Sequence, residues 1–196
     1  MPDVKVSVRN ITRIYRAATT DDRVEGRGWY ATAREIAESL DPQDPVRAAA
    51  VIAVLSPQLS WRRNVIEAQN AYAGRPIKTL GLNAEKARRI LAGENPEDVV
   101  SGPKVRAFWR TIADPTDPRA VVIDRHAIDI ATGRVLGDKV RGVLLGRAGV
   151  YDEVCDAYRR AARILSREFG TDLSPAVVQA TTWVHWRREY AALYAA

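Results

Sequence analysis

Sulfur and histidine are scarce in this chain: 196 residues carry one Cys, one Met and two His. A lone thiol, Cys155, cannot close an internal disulfide. Together with His126 and His185 it cannot assemble a Cys-rich zinc or iron–sulfur site, so no metal and no cofactor are expected. Cys155 stands in YDEVCDAYRRAARIL at helical spacing among apolar neighbours, which reads as a buried structural thiol. No run reaches the roughly 18 consecutive apolar residues of a membrane span. The first ten residues alternate Val with polar side chains and lack an apolar h-region, so no secretory signal and a cytoplasmic location are expected. Internal repeats and low-complexity tracts are also missing.

What is present is charge of both signs with cations in excess. Lys and Arg number 30 against 24 Asp and Glu, a net charge of +6. The isoelectric point is about 9.7. Arg outnumbers Lys, which suits phosphate recognition. Such a balance favours a polyanionic partner, although an Arg-rich solvated surface has the same composition. The hydrophobic fraction, 46%, is ordinary for a globular chain.

The pattern is helical throughout, and the expected class is all-α. Residues 4–18 form an N-terminal element of open type, and DDRVEGRG (21–28) reads as a polar loop. Trp29 to Leu40 reads as a helix, with Ala33, Ile36, Ala37 and Leu40 on one face. PVRAAAVIAVL (45–55) is apolar nearly all round and predicts a central buried helix. Ser60 caps the following helix, which Gly74 ends. Asn83 is the expected cap of a helix over 83–92. A single turn at 96–100 precedes SGPKVRAFWRTI. AVVI (120–123) is an extended or buried connection, and residues 137–150, with four glycines, read as a linker. Helices over 150–169, ended by Gly170, and 174–194, with Ser174 as cap and Pro175 first, complete the chain.

Four segments bear on chemistry. In VLSPQLSWRRN (54–64) a Pro-Gln break between buried helices presents Gln58, whose amide can replace a base edge. The same residues also describe an ordinary helix–helix corner. In SGPKVRAFWR (101–110), Gly102 permits close backbone approach and Pro103 sets the first helical turn, whose free amides suit a phosphate. Lys104 follows at a helix start, where a cation is electrostatically disfavoured and an amine nucleophile is plausible; a solvated Lys is the plain alternative. In VVIDRHAI (121–128) an apolar run delivers Asp124 to a helix start, fit both for capping and for chemistry. In LSPAVVQATTWVHWRREY (173–190), Val177, Thr181, Val184 and Arg188 share a stripe. Trp183 and Trp186 stand three apart on a neighbouring one and read as core or lobe packing rather than base-stacking platforms, and His185 reads as a polar-face or hydrogen-bonded core histidine.

In this order the segments resemble the helix-hairpin-helix DNA glycosylases, particularly the endonuclease III branch. The resemblance runs over about 54–131: AVLSPQLSWRRN for the leucine-serine-x-glutamine corner, TLGLNAEKARRIL for the helix before the hairpin, GPKVRAFW for the hairpin, and VIDRHAI for valine-aspartate-x-histidine. It implies a single glycosylase-like domain over 1–196, two-lobed, with the hairpin lobe at about 54–131 and the other helices drawn from 1–53 and 150–196. It implies a base-excising enzyme of DNA, with lyase activity possible, in a bacterial or phage-infected cell. Lys104 falls on the lysine that attacks the sugar C1′, and Asp124 on the catalytic aspartate that helps deprotonate it. Gln58 falls on the residue filling the gap left by the flipped base. Ser101, Gly102, Arg125 and His126 become expected DNA contacts, and Trp61, Gln179 and Trp183 expected pocket residues. The chain departs from that branch in three ways: one hairpin glycine where two are usual, no C-terminal iron–sulfur cysteines, and no aligned counterpart for 150–194. Two further readings follow. One is a DNA thymine hypermodification enzyme of bacteriophage type on the same scaffold; the other is a DNA-binding module without chemistry.

Overall fold

A computed structural model describes residues 5–190, and every regular element among them is a helix. Residues 191–194 of the expected last helix lie outside the described residues. In order the helices are α1 (Val8–Ala17), α2 (Thr20–Leu40), α3 (Pro45–Leu55), α4 (Trp61–Tyr72), α5 (Gly81–Leu91), α6 (Pro96–Val99), α7 (Pro103–Ala113), α8 (Arg125–Thr132), α9 (Asp138–Leu145), α10 (Val150–Phe169) and α11 (Pro175–Tyr190). The chain divides into two compact units: a contiguous one, Tyr30–Pro115, and a composite one built from Met1–Trp29 and Thr116–Ala196. The expected hairpin segment 54–131 therefore contributes residues to both units.

The contiguous unit is organised around α3. Asp44 caps α3 by accepting from the Arg47 amide at 2.9 Å, and Pro45 opens it. Ala48 through Leu55 are all buried, so the helix is apolar on every side, and α4, α5 and α7 pack around it. Ser60 accepts from the Arg63 amide to start α4, as expected. Asn83 does not cap α5; the helix begins two residues earlier at Gly81, and Asn83 is buried inside it. Asn95 caps the single turn of α6, and Val100–Gly102 link it to α7.

The composite unit buries Ile11, Ile14 and Tyr15 of α1 with Ile128 and Ile130 of α8, Val154, Tyr158 and Leu165 of α10, and Val178 and Trp186 of α11. Val121 to Ile123 run without regular structure through this core, as a buried connection. Cys155 is buried there, and burial pushes its thiol up to about 11.

Two segments read as irregular are helical. DDRVEGRG lies inside α2. Its start is a reciprocal cap: Thr19 Oγ1 accepts from the Asp22 amide at 3.1 Å, and Asp22 Oδ2 accepts from the Thr19 amide at 3.0 Å. Asp21 and Asp22 also complement the positive helix end. Residues 138–145 of the glycine-bearing linker form α9. Arg141 of α9 pairs with the buried Asp129 of α8 at 2.8 Å, and Asp129 also accepts from the Leu136 amide at 3.2 Å. No helix among the described residues is long and apolar enough to cross a membrane.

Candidate functional site

Asp124 is a half-buried polar side chain of the composite unit held by three hydrogen bonds. The buried Val121–Ile123 run fixes its backbone, and the Ile123 amide donates to the Tyr151 hydroxyl at 3.2 Å. Asp124 then caps α8: its Oδ1 accepts from the amides of His126 at 3.0 Å and Ala127 at 2.8 Å. Its Oδ2 accepts from the Trp183 indole N–H at 3.1 Å. The carboxylate is half-buried. Its orientation is thus determined by two backbone donors from α8 and one ring donor from α11, which leaves little rotamer freedom to lose when a ligand arrives. Beneath it, Tyr158 donates to the Ala127 carbonyl at 3.3 Å, and burial pushes the Tyr151 and Tyr158 phenols up.

The indole that binds this carboxylate is itself packed against rings and a guanidinium. Trp183 meets Trp29 edge to face, centroids 6.0 Å apart, and His126 in the same manner at 6.3 Å. The Arg187 guanidinium lies 4.5 Å from the centre of the Trp183 ring. No ion pair engages Arg187 among the described residues. A cation–π contact at an exposed site contributes only about 0.5–1 kcal/mol, so Arg187 is lightly held. Arg188, its neighbour, is pinned instead by the buried Asp22 and by Glu25 at 2.6 Å. His126 is buried, and its Nε2 accepts from Arg125 Nε at 3.3 Å. Desolvation holds this imidazole below its usual value; Asp124 opposes the shift, and Arg125 and Arg187 reinforce it.

A cleft of about 230 Å³ lies beside these groups, lined by Glu25, Trp183, Val184, Arg187 and Arg188. A larger cavity of about 480 Å³ occurs in the contiguous unit, among residues such as Arg47, Ile90, Glu97 and Trp109. It contains none of the residues expected to do chemistry, and the Trp109 indole N–H is already taken by the Val46 carbonyl at 3.0 Å. The smaller cleft is the better candidate, because it adjoins an oriented carboxylate, an aromatic face and exposed cations.

The structure thus brings Asp124, Arg125, His126 and Trp183 together in the composite unit. Gln179, in the same unit, is buried in α11 and does not line the cleft. In the contiguous unit, Lys104 is exposed in the first turn of α7. It follows Gly102, whose φ of 81° is a conformation that glycine adopts without strain, and no side chain caps the helix start. Ser101 accepts from Lys86 Nζ at 2.6 Å. Gln58 is exposed at φ 66°, the one non-glycine residue at positive φ among those described. A residue that is neither Gly nor Asn holds this conformation at a cost of about 1–3 kcal/mol. Trp61 packs edge to face on Phe108 at 6.3 Å, a packing role rather than a free platform. Among the described residues no three His, Cys, Asp or Glu side chains are grouped as a metal ion requires.

Sequence reasoning missed Arg187, Trp29 and the Asp22–His185–Arg188 network. Arg187 had a signal, since Trp183 and Arg187 are four apart on one helix and therefore adjacent. Asp22 is buried and accepts from His185 Nδ1 at 2.9 Å, so His185 is a hydrogen-bonded core histidine. Desolvation works against the Asp22 charge, but the Thr19 amide, His185 and Arg188 outweigh it and hold this carboxyl below its usual range. Nothing local pairs Trp29 or Asp22 with residues more than 150 positions away.

A family model matches residues 3–190, described as a family of unknown function (DUF7178). No curated protein and no solved structure matches the chain.

Proposed function

We propose that this chain, which belongs to the DUF7178 family of unknown function, acts on bases in DNA as a helix-hairpin-helix glycosylase-like enzyme. The observation that carries the reading is Asp124, fixed by two amides and by the indole of Trp183, on whose ring the exposed Arg187 lies. A base inside a duplex is unreachable, so it must first be extruded. Breaking the bond between base and sugar then builds positive charge on the sugar ring. A carboxylate already oriented stabilises that charge without reorganising at the moment of reaction. The short α6, the three-residue turn Val100–Gly102 and α7 supply a helix–turn–helix segment with open amides for a backbone phosphate.

Lys104 is the amine in this scheme. Once its ammonium has given up a proton, its nitrogen forms a bond to C1′ as the C1′–base bond breaks, and the base leaves with the electron pair and takes that proton. Loss of the amine proton with ring opening gives a Schiff base, from which elimination severs the strand. DNA is the partner and the cytoplasm of a bacterial or phage-infected cell the setting. A second reading, modification of thymine without excision, draws on the altered hairpin, where one glycine stands in place of two and Ser101 is tied to Lys86.

Borohydride trapping tests the amine. Wild-type protein is incubated with duplexes carrying uracil, mispaired thymine or hypermodified thymine, with reductant present. A covalent protein–DNA adduct is expected for wild type and none for Lys104→Gln. Base release without an adduct removes Lys104 from the chemistry. Neither adduct nor release on any duplex refutes excision.

A further inference from the structure

We propose that Trp183 is the platform on which the extruded base stacks, and that Arg187 occupies that seat until DNA arrives. The inference rests on the DNA-base reading above and names how the same site takes its substrate. The indole N–H of Trp183 donates to Asp124 Oδ2 at 3.1 Å. A hydrogen bond from Nε1 lies near the ring plane, so the carboxylate sits at the edge of the indole and not over its face. A planar base stacked on the face therefore rests about 3.5–4.0 Å above the level of the carboxylate. Its sugar, attached at the base edge, is then brought alongside Asp124. One residue thus orients the reactive carboxylate with its edge and locates the base with its face.

That face is covered by the Arg187 guanidinium, 4.5 Å from the ring centre. A guanidinium is flat and cationic, and it can stand in for a stacked base. Arg187 is exposed and has no ion pair among the described residues, whereas Arg188 next to it is fixed by Asp22 and Glu25. The cleft is lined by Trp183, Arg187 and Arg188, so a displaced Arg187 stays within reach of an incoming phosphate. Base–aromatic stacking is at least as strong as an exposed cation–π contact, so a base can displace the side chain. Once released, Arg187 is free to pair with a backbone phosphate. Trp29, meeting Trp183 at 67°, buttresses the platform.

The test uses a fluorescein-labelled duplex with a central mispaired 5-iodouracil, a base that photo-crosslinks to an aromatic ring stacked on it. Affinity is read by anisotropy and the adduct is located by mass spectrometry. The expected adduct lies on Trp183, and its yield per bound complex falls to less than about half in Trp183→Phe, which keeps a ring but a smaller face. Arg187→Ala separates the proposal from a general electrostatic role. It removes a competitor from the platform, so crosslinking per bound complex rises about two- to fivefold even as total affinity falls. Binding with the adduct on another residue, or with yields per complex unchanged in both variants, overturns the platform and leaves the DNA reading standing. No binding of the duplex by wild type overturns both.

Discussion

At the scale of single residues, the proposed chemistry turns on how Asp124 is held and how its neighbour His126 is buried. Asp124 has its hydrogen bonds supplied by α8 and Trp183. His126, beside it, is buried and held below its usual imidazole value. The consequence for stability has a definite sign. With its folded value depressed, His126 resists protonation in the native state, while the unfolded chain takes up the proton near the ordinary value of about 6.5. The contribution of His126 is therefore whole above about pH 6.5 and is lost as pH falls below it. Urea unfolding followed at pH 7.5 and pH 5.5 should show a lower midpoint at the acid pH, and His126→Gln should narrow the gap between them. An equal gap in the variant would show that His126 is not the group responsible.

At the scale of elements, α2 shows where local pattern and tertiary demand part. Its first half carries Gly26 and Gly28 amid charges, which by propensity alone reads as a loop. The reciprocal Thr19–Asp22 cap starts the helix, and that signature stood in the sequence unread. Gly26 is there for packing. A Cβ at this position would lie 2.4 Å from Thr181 Cα, so α2 and α11 approach too closely for any side chain. Nothing lies within 4 Å of a Cβ at Gly28. Gly26→Ala should destabilise the protein by about 1–3 kcal/mol through forced separation of the helices. Gly28→Ala should be neutral or stabilising by up to about 1 kcal/mol. Chemical denaturation of both variants checks the pair, and equal effects would remove the packing argument.

The remaining elements divide the same way. Helices α3 and α10 were legible to the residue, because their apolar patterns are unbroken and their ends are marked by Pro45, Ser56-Pro57 and Gly170. Helix α9 was not, since its glycines hide a helix secured by the Arg141–Asp129 pair, which no periodicity reports. The candidate site was half legible. Asp124 declared itself as a cap after an apolar run. Its indole partner is 59 positions away, and Arg187 was hidden by a neighbouring arginine that does different work.

At the scale of the whole molecule, the net charge of +6 and the exposed Arg125 and Arg187 suit a polyanion. Both compact units contribute to the reading. The composite unit holds the oriented carboxylate, and the contiguous unit holds Gln58 in a strained turn and Lys104 at an open helix start. The central claim is that Asp124 does chemistry and is not only a cap. Asn caps a helix about as well as Asp, so Asp124→Asn keeps the bonds to the α8 amides while removing the charge and the acceptor for the Trp183 indole. The most direct measurement is release of free base from a panel of lesion-bearing and thymine-modified duplexes, comparing wild type with Asp124→Asn at matched folding and matched DNA affinity. Release by wild type and its loss by at least about a hundredfold in Asp124→Asn is the predicted result. Equal release by both proteins, or none by wild type, would contradict it.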